Sequence, residues 1–158
     1  MAQKILPEII ALLLQDIPES LAMTLLIFSL VKIRYEAKPI LCIASMMALT
    51  NLVVRHLPIA FGVHTVILIF ALAFYARIFT GAQLSKIFLS VLLATAFMVA
   101  AEMVYTKPLF NWTGVTYEEC FANPFLRAAF ALPGEVFILL LALGIRHYNF
   151  KKERTLRC

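Results

Sequence analysis

An all-α membrane bundle of five transmembrane helices is the fold this sequence predicts, and three observations carry the prediction. Apolar residues make up 63% of the 158-residue chain and charged ones 15%, against about 45–50% and about 25% in a soluble domain. The apolar residues gather into five continuous runs, each long enough for the roughly 20 helical residues that cross the hydrocarbon. None of the runs alternates apolar and polar residues as a membrane β-strand does.

The first run, residues 5–31, is ILPEIIALLLQDIPESLAMTLLIFSLV. It has length to spare for tilt or for a bend at Pro18. Splitting it at Pro18 would leave halves too short to cross, so a re-entrant hairpin is the alternative to a single span. The second run is 39–57, the third 62–80, the fourth 84–105 and the fifth 125–148. Residues 106–124 form the one sizeable loop, and its Phe110, Trp112, Tyr117 and Phe121 suit the interfacial zone. The NWT sequon at Asn111 sits too near the bilayer to weigh. Residues 1–148 thus read as one membrane domain and 149–158 as a basic tail.

The charges set an orientation. Lys32, Arg34, Lys38, Arg77, Lys86, Arg146, Lys151, Lys152, Arg154 and Arg157 fall on alternate connections and the tail, ten of the 14 basic residues. Lys4, Arg55, Lys107 and Arg127 are left for the other side. An excess of Lys and Arg marks cytoplasmic faces, so the N-terminus is expected outside and the C-terminus in the cytoplasm of a multi-pass cell-membrane protein. MAQKILPEII has a lone lysine, a proline and a glutamate and lacks a small-residue cleavage site, so the mature chain is expected to begin there.

Polar groups inside the spans are the candidate functional residues. Asp16 and Glu19 lie near the middle of the first run, three residues apart and so on one helical face. Glu135 lies near the middle of the fifth, in LPGEV. A charged acid at the bilayer centre costs about 2.5–3.5 kcal/mol, and no Lys or Arg is expected at that depth. Pro18, Pro133 and Gly134 accompany the acids as candidate hinges, since a proline frees a backbone carbonyl one turn earlier. Proline and carboxylate together make a polar notch. It serves as helix–helix glue, as a ligand or cation site, or as a surface for another membrane subunit.

A second set, Glu8, Arg55, His56, His64, Glu102 and Arg127, is expected at the outer face. His56, His64 and Glu102 are chemically suited to zinc, but their spacing is not a zinc signature and no metal site is assigned. The cysteines 42, 120 and 158 have no ligand or disulfide-framework spacing. HExxH, GxSxG and the Walker lysine are all missing, so no enzyme activity and no cofactor is expected. The formal charge of +5 reflects loop and tail bases rather than an interface with nucleic acid.

Three stretches carry a family resemblance: DIPESL in the first run, RHLPIAFGVHTVILI entering the third, and NPFLRAAFALPGE entering the fifth. Over nearly its whole length the chain resembles the multi-span N-terminal sensor region of some Firmicutes histidine kinases with a GHKL-type catalytic part. Those regions carry similar P-E, LP-x-x-x-G-x-H-T and NP-x-x-R-x-x-x-x-LP elements. The resemblance implies a sensory or regulatory membrane module that signals through helix rearrangement to a partner. That partner is another membrane or cytoplasmic signalling protein, or a second copy of the chain. The pattern departs from the family after Tyr148, where those kinases continue into a phospho-acceptor helix and an ATP-binding domain. His147, at the end of a span, does not suit a phospho-acceptor. The alternatives are a small transporter or channel subunit that passes a cation or proton along its carboxylates, and an assembly subunit.

Overall fold

The computed structural model describes residues 9–10, 12–57 and 62–155. A π-helical turn, Leu12–Asp16, leads directly into α1, Ile17–Val31. Then follow α2 (Ala37–Arg55), α3 (Val63–Thr80), α4 (Leu84–Thr113), the short α5 (Tyr117–Ala122) and α6 (Pro124–Thr155). Five stretches are long and apolar enough to cross a membrane: Leu12–Val31, Ala37–Arg55, Val63–Thr80, Leu84–Thr113 and Pro124–Lys152. The chain is therefore a multi-pass membrane helix bundle. Pro18 lies within one continuous helical run, and the hairpin alternative falls away.

The first span sits at the centre. Leu26, Ile27 and Phe28 are consecutive and each is 0% exposed, so neighbours surround this helix on every side. It packs on α2, α4 and α6, while α3 lies against α2 and α4. Lipid tails are as apolar as leucine, so close packing, not hydrophobicity, must hold such a bundle together. Small buried residues on every partner helix meet that need: Ala44 and Ala48 on α2, Ala73 and Ala76 on α3, Ala94 on α4, Ala142 on α6. The large exposed residues, among them Leu41, Phe70, Phe74, Leu89 and Leu140, form the lipid-facing surface.

Two boundaries differ from the sequence expectation. The fourth span does not stop at Tyr105 but runs through Pro108 to Thr113. Proline there frees a single carbonyl, a modest cost near a helix end. Gly114, at φ +67°, ends the helix instead, its N–H on the Phe110 carbonyl at 3.0 Å. Most of the expected 106–124 loop is thus helical, including α5. That short helix starts with a capping box: Glu119 N–H donates to Thr116 Oγ1 at 3.3 Å, and Thr116 N–H to Glu119 Oε2 at 2.9 Å. The Thr116 amide holds the Glu119 carboxyl below the usual carboxylate range. Asn123 then caps α6, its Oδ1 accepting from Phe125 N–H at 3.0 Å, with Pro124 as first helical residue. At its other end α6 continues to Thr155, so the basic tail is helical to that point.

Lys32, Lys38, Arg77, Lys86 and Arg146 all lie at one end of the bundle, where α1, α3 and α6 finish and α2 and α4 begin. At this basic end α1 is tied to α6. Two hydroxyl protons suffice for a chain in which Tyr35 donates to Ser29 Oγ at 2.5 Å and Ser29 donates to the Ala142 carbonyl at 2.8 Å. Asn149 Nδ2 donates to the Ser29 carbonyl at 2.9 Å, and the Arg146 guanidinium lies 3.5 Å from the Tyr35 ring centre.

Candidate functional site

At the opposite end the chain enters α1 through the π-turn, and the reason is Pro18. Its ring crowds the carbonyl of Leu14 and it has no N–H to give. Widening the preceding turn from α to π makes room, and such turns often accompany functional sites. The wider turn also changes the angular spacing of the side chains. Asp16 and Glu19 therefore do not serve the same surroundings, as plain helical spacing predicts. Asp16 is buried, at 1% exposure, whereas Glu19 lines a cavity.

The expectation that no base reaches the depth of Asp16 is also corrected. Arg55 Nη2 donates to Asp16 Oδ1 at 2.7 Å, and Asn51 Nδ2 donates to the same oxygen at 2.9 Å. His64 Nε2 meets Asn51 Oδ1 at 3.1 Å, and as that oxygen only accepts, the ring donates from Nε2. One polar chain, His64–Asn51–Asp16–Arg55, thus links α3, α2 and the start of the first span. Asp16 sits level with the last turn of α2, near the end of the bundle rather than at its middle.

The space between α1 and α3 is a cavity of about 690 Å³. Glu19, Arg55, His64, Glu102 and Arg127 provide its charged and titratable lining, and Met23, Met47, Leu68, Leu72 and Met98 much of its apolar wall. Glu19, which the sequence placed in a midplane notch, here shares one cavity with Arg55, His64, Glu102 and Arg127 of the outer cluster. Glu19 lies within electrostatic range of Glu102, Asp16, Glu135 and Arg55. Comparison with protein-family models, curated proteins and solved structures gives no match.

Other expected residues fall elsewhere. His56 is exposed, with Nδ1 on the Leu52 carbonyl of its own helix at 2.8 Å. Glu8 lies outside the described residues. Glu135, 5% exposed, is buried beside the site rather than on the cavity wall, and its Oε1 has no hydrogen-bond partner. Among the described residues, no group of three or more His, Cys, Asp or Glu could hold a metal ion. Asn51, the hub of the polar chain, was missed. The signal was there in NLVVR, an Asn and an Arg four apart and hence on one face of an apolar span.

Of the hinge candidates, Pro133 is exposed on the outside of α6, and α6 runs through it as one helix. Gly134 is buried for a packing reason. A Cβ there would lie 2.8 Å from the Tyr105 hydroxyl and 3.5 Å from Met98 Sδ. Gly134→Val is expected to lower unfolding free energy by about 1–3 kcal/mol through overpacking. Adding Tyr105→Phe removes the nearest atom and restores part of the loss. Unfolding titrations in mixed micelles check this, and wild-type stability in the single variant contradicts the close approach.

Proposed function

We propose that the chain is a membrane sensory module whose cavity is the sensing site and whose first span carries the signal. The observation behind this reading is that one central helix serves both ends. Its N-terminal end contributes Glu19 to the cavity and follows directly on Asp16, and its C-terminal end is bonded to α6 through Ser29. A ligand that draws α1 and α3 together acts on a helix whose far end holds α6. Such a ligand needs only to bind two arrangements of the bundle unequally. The family resemblance points the same way. By the positive-inside rule the cavity end faces outward, and the basic end of α6 meets a cytoplasmic or membrane signalling partner, or a second copy of the chain.

Spin labels test the coupling. Lys86→Cys and Tyr148→Cys, in a background with the natural cysteines replaced, place labels on α4 and α6 at the basic end, where both native residues are exposed. Asp16→Asn then perturbs the cavity end. A new or shifted distance population supports the sensory reading, and an unchanged distribution with an intact fold removes it.

Glu135 supports a second reading, passage of a proton or cation. It is a buried carboxylate with an open oxygen, in electrostatic range of Asp16 and Glu19. Proton flux in proteoliposomes that disappears in Glu135→Gln would establish it.

A further inference from the structure

Building on the sensory reading, we infer that the cavity binds an amphiphilic organic cation, a single ammonium-type charge on an apolar body. Charged and titratable side chains reach the space from five helices. Glu19 comes from the first span, Arg55 from α2, His64 from α3, Glu102 from α4 and Arg127 from α6, with Asp16 and Glu135 buried behind the wall. Arg55 is already committed to Asp16 at 2.7 Å, and Arg127 has interactions of its own. Glu19 and Glu102 are different. They line the cavity from α1 and α4, and among the described residues neither is in an ion pair within 4.0 Å. Gln15, also on the wall, has a side-chain oxygen buried without a hydrogen-bond partner. Two carboxylates and a buried amide oxygen thus offer acceptors to the space. Two carboxylates in a low-dielectric space repel each other when both are ionised, and a monocation near both relieves that repulsion.

The rest of the wall sets the body of the ligand. Met23, Met47 and Met98 offer polarisable thioethers that adapt to aromatic or alkyl shapes. About 690 Å³ lies within the 300–1,000 Å³ range of sites for drug-sized molecules. A bare alkali or alkaline-earth ion wants a shell of oxygens, which methyl and thioether groups cannot supply. An anion would also meet Arg55, His64 and Arg127, but Arg55 is paired with Asp16, and two carboxylates and an amide oxygen would oppose it.

Tetraphenylphosphonium and tetraphenylborate test this directly, being near-identical in shape and opposite in charge. Calorimetry on the full chain in mild detergent, corrected against empty micelles, is expected to show saturable binding of the cation and none of the anion. Glu19→Gln and Glu102→Gln should each weaken cation binding by about tenfold, the loss of one charge–charge attraction to a cation that donates no hydrogen bond, while unfolding midpoints stay near wild type. The proposal is overturned by equal or tighter binding of the anion. It is equally overturned if the cation does not bind, or if both glutamine variants bind it as wild type does. The labelled pair separates the two readings. Cation binding with unchanged label distances removes the sensing function and keeps the ligand class. A distance shift produced only by the anion keeps the sensing function and removes the class.

Discussion

Arg55→Ala is expected to lower the unfolding free energy by about 3–5 kcal/mol, the cost of stranding one partner of a buried ion pair. The Asp16 side chain is 0% exposed and that of Arg55 22% exposed, so the two ends of the pair are not equivalent. Without Arg55 the carboxylate keeps only the Asn51 bond at 2.9 Å and must take up a proton or bring water inward. Asp16→Asn is expected to be milder, because the guanidinium left behind can still turn toward the bundle end. Asp16 Oδ2 has no partner even in the intact protein, so the pair is poorly satisfied for its depth. An apolar pair, Asp16→Leu with Arg55→Met, should for that reason recover most of the stability lost in Arg55→Ala. Mixed-micelle unfolding of the three variants measures this, and a loss below about 1 kcal/mol in Arg55→Ala contradicts a formed pair.

That ion pair also marks the limit of what the residues alone disclosed. The five spans, their order and the gathering of bases at one end were legible, because apolar length and loop charge are local properties. Depth was not. Counting from the middle of residues 5–31 put Asp16 halfway across, whereas the π-turn forced by Pro18 and the partner Arg55 put it beside the end of α2. Arg55 itself read as an outer-face charge, since a sequence does not say whether a long side chain at a helix end turns out to the headgroups or in toward an acid. For the same reason Glu19 and Glu102 read as members of separate clusters, although they line one space. Which span sits in the middle was hidden too. In lipid every span is apolar on most faces, so the periodicity that picks out a buried stripe in water has little contrast.

The central place of the first span therefore needs its own test, and a pair of phenylalanines provides it. Phe28 is 0% exposed and Phe74 is 60% exposed. Truncating either to alanine removes the same atoms from a nonpolar setting, so a difference in transfer free energy between the two sites largely cancels. What remains is the void. Lipid chains flow into the space left by Phe74, but nothing fills the space left by Phe28 except relaxation of its neighbours. Phe28→Ala is expected to cost about 2–3 kcal/mol from the cavity contribution, and Phe74→Ala less than about 0.5 kcal/mol, as for an ordinary surface change. Similar losses at the two positions would mean that α1 lies on the lipid face and carries no signal between the ends. The Phe28 ring also stands edge-on to Tyr35, with centroids 6.4 Å apart, and Tyr35 positions Ser29 against Ala142. A void at Phe28 should therefore loosen the α1–α6 tie as well as the core. On the sensory reading, the label distances at the basic end broaden in Phe28→Ala and stay narrow in Phe74→Ala.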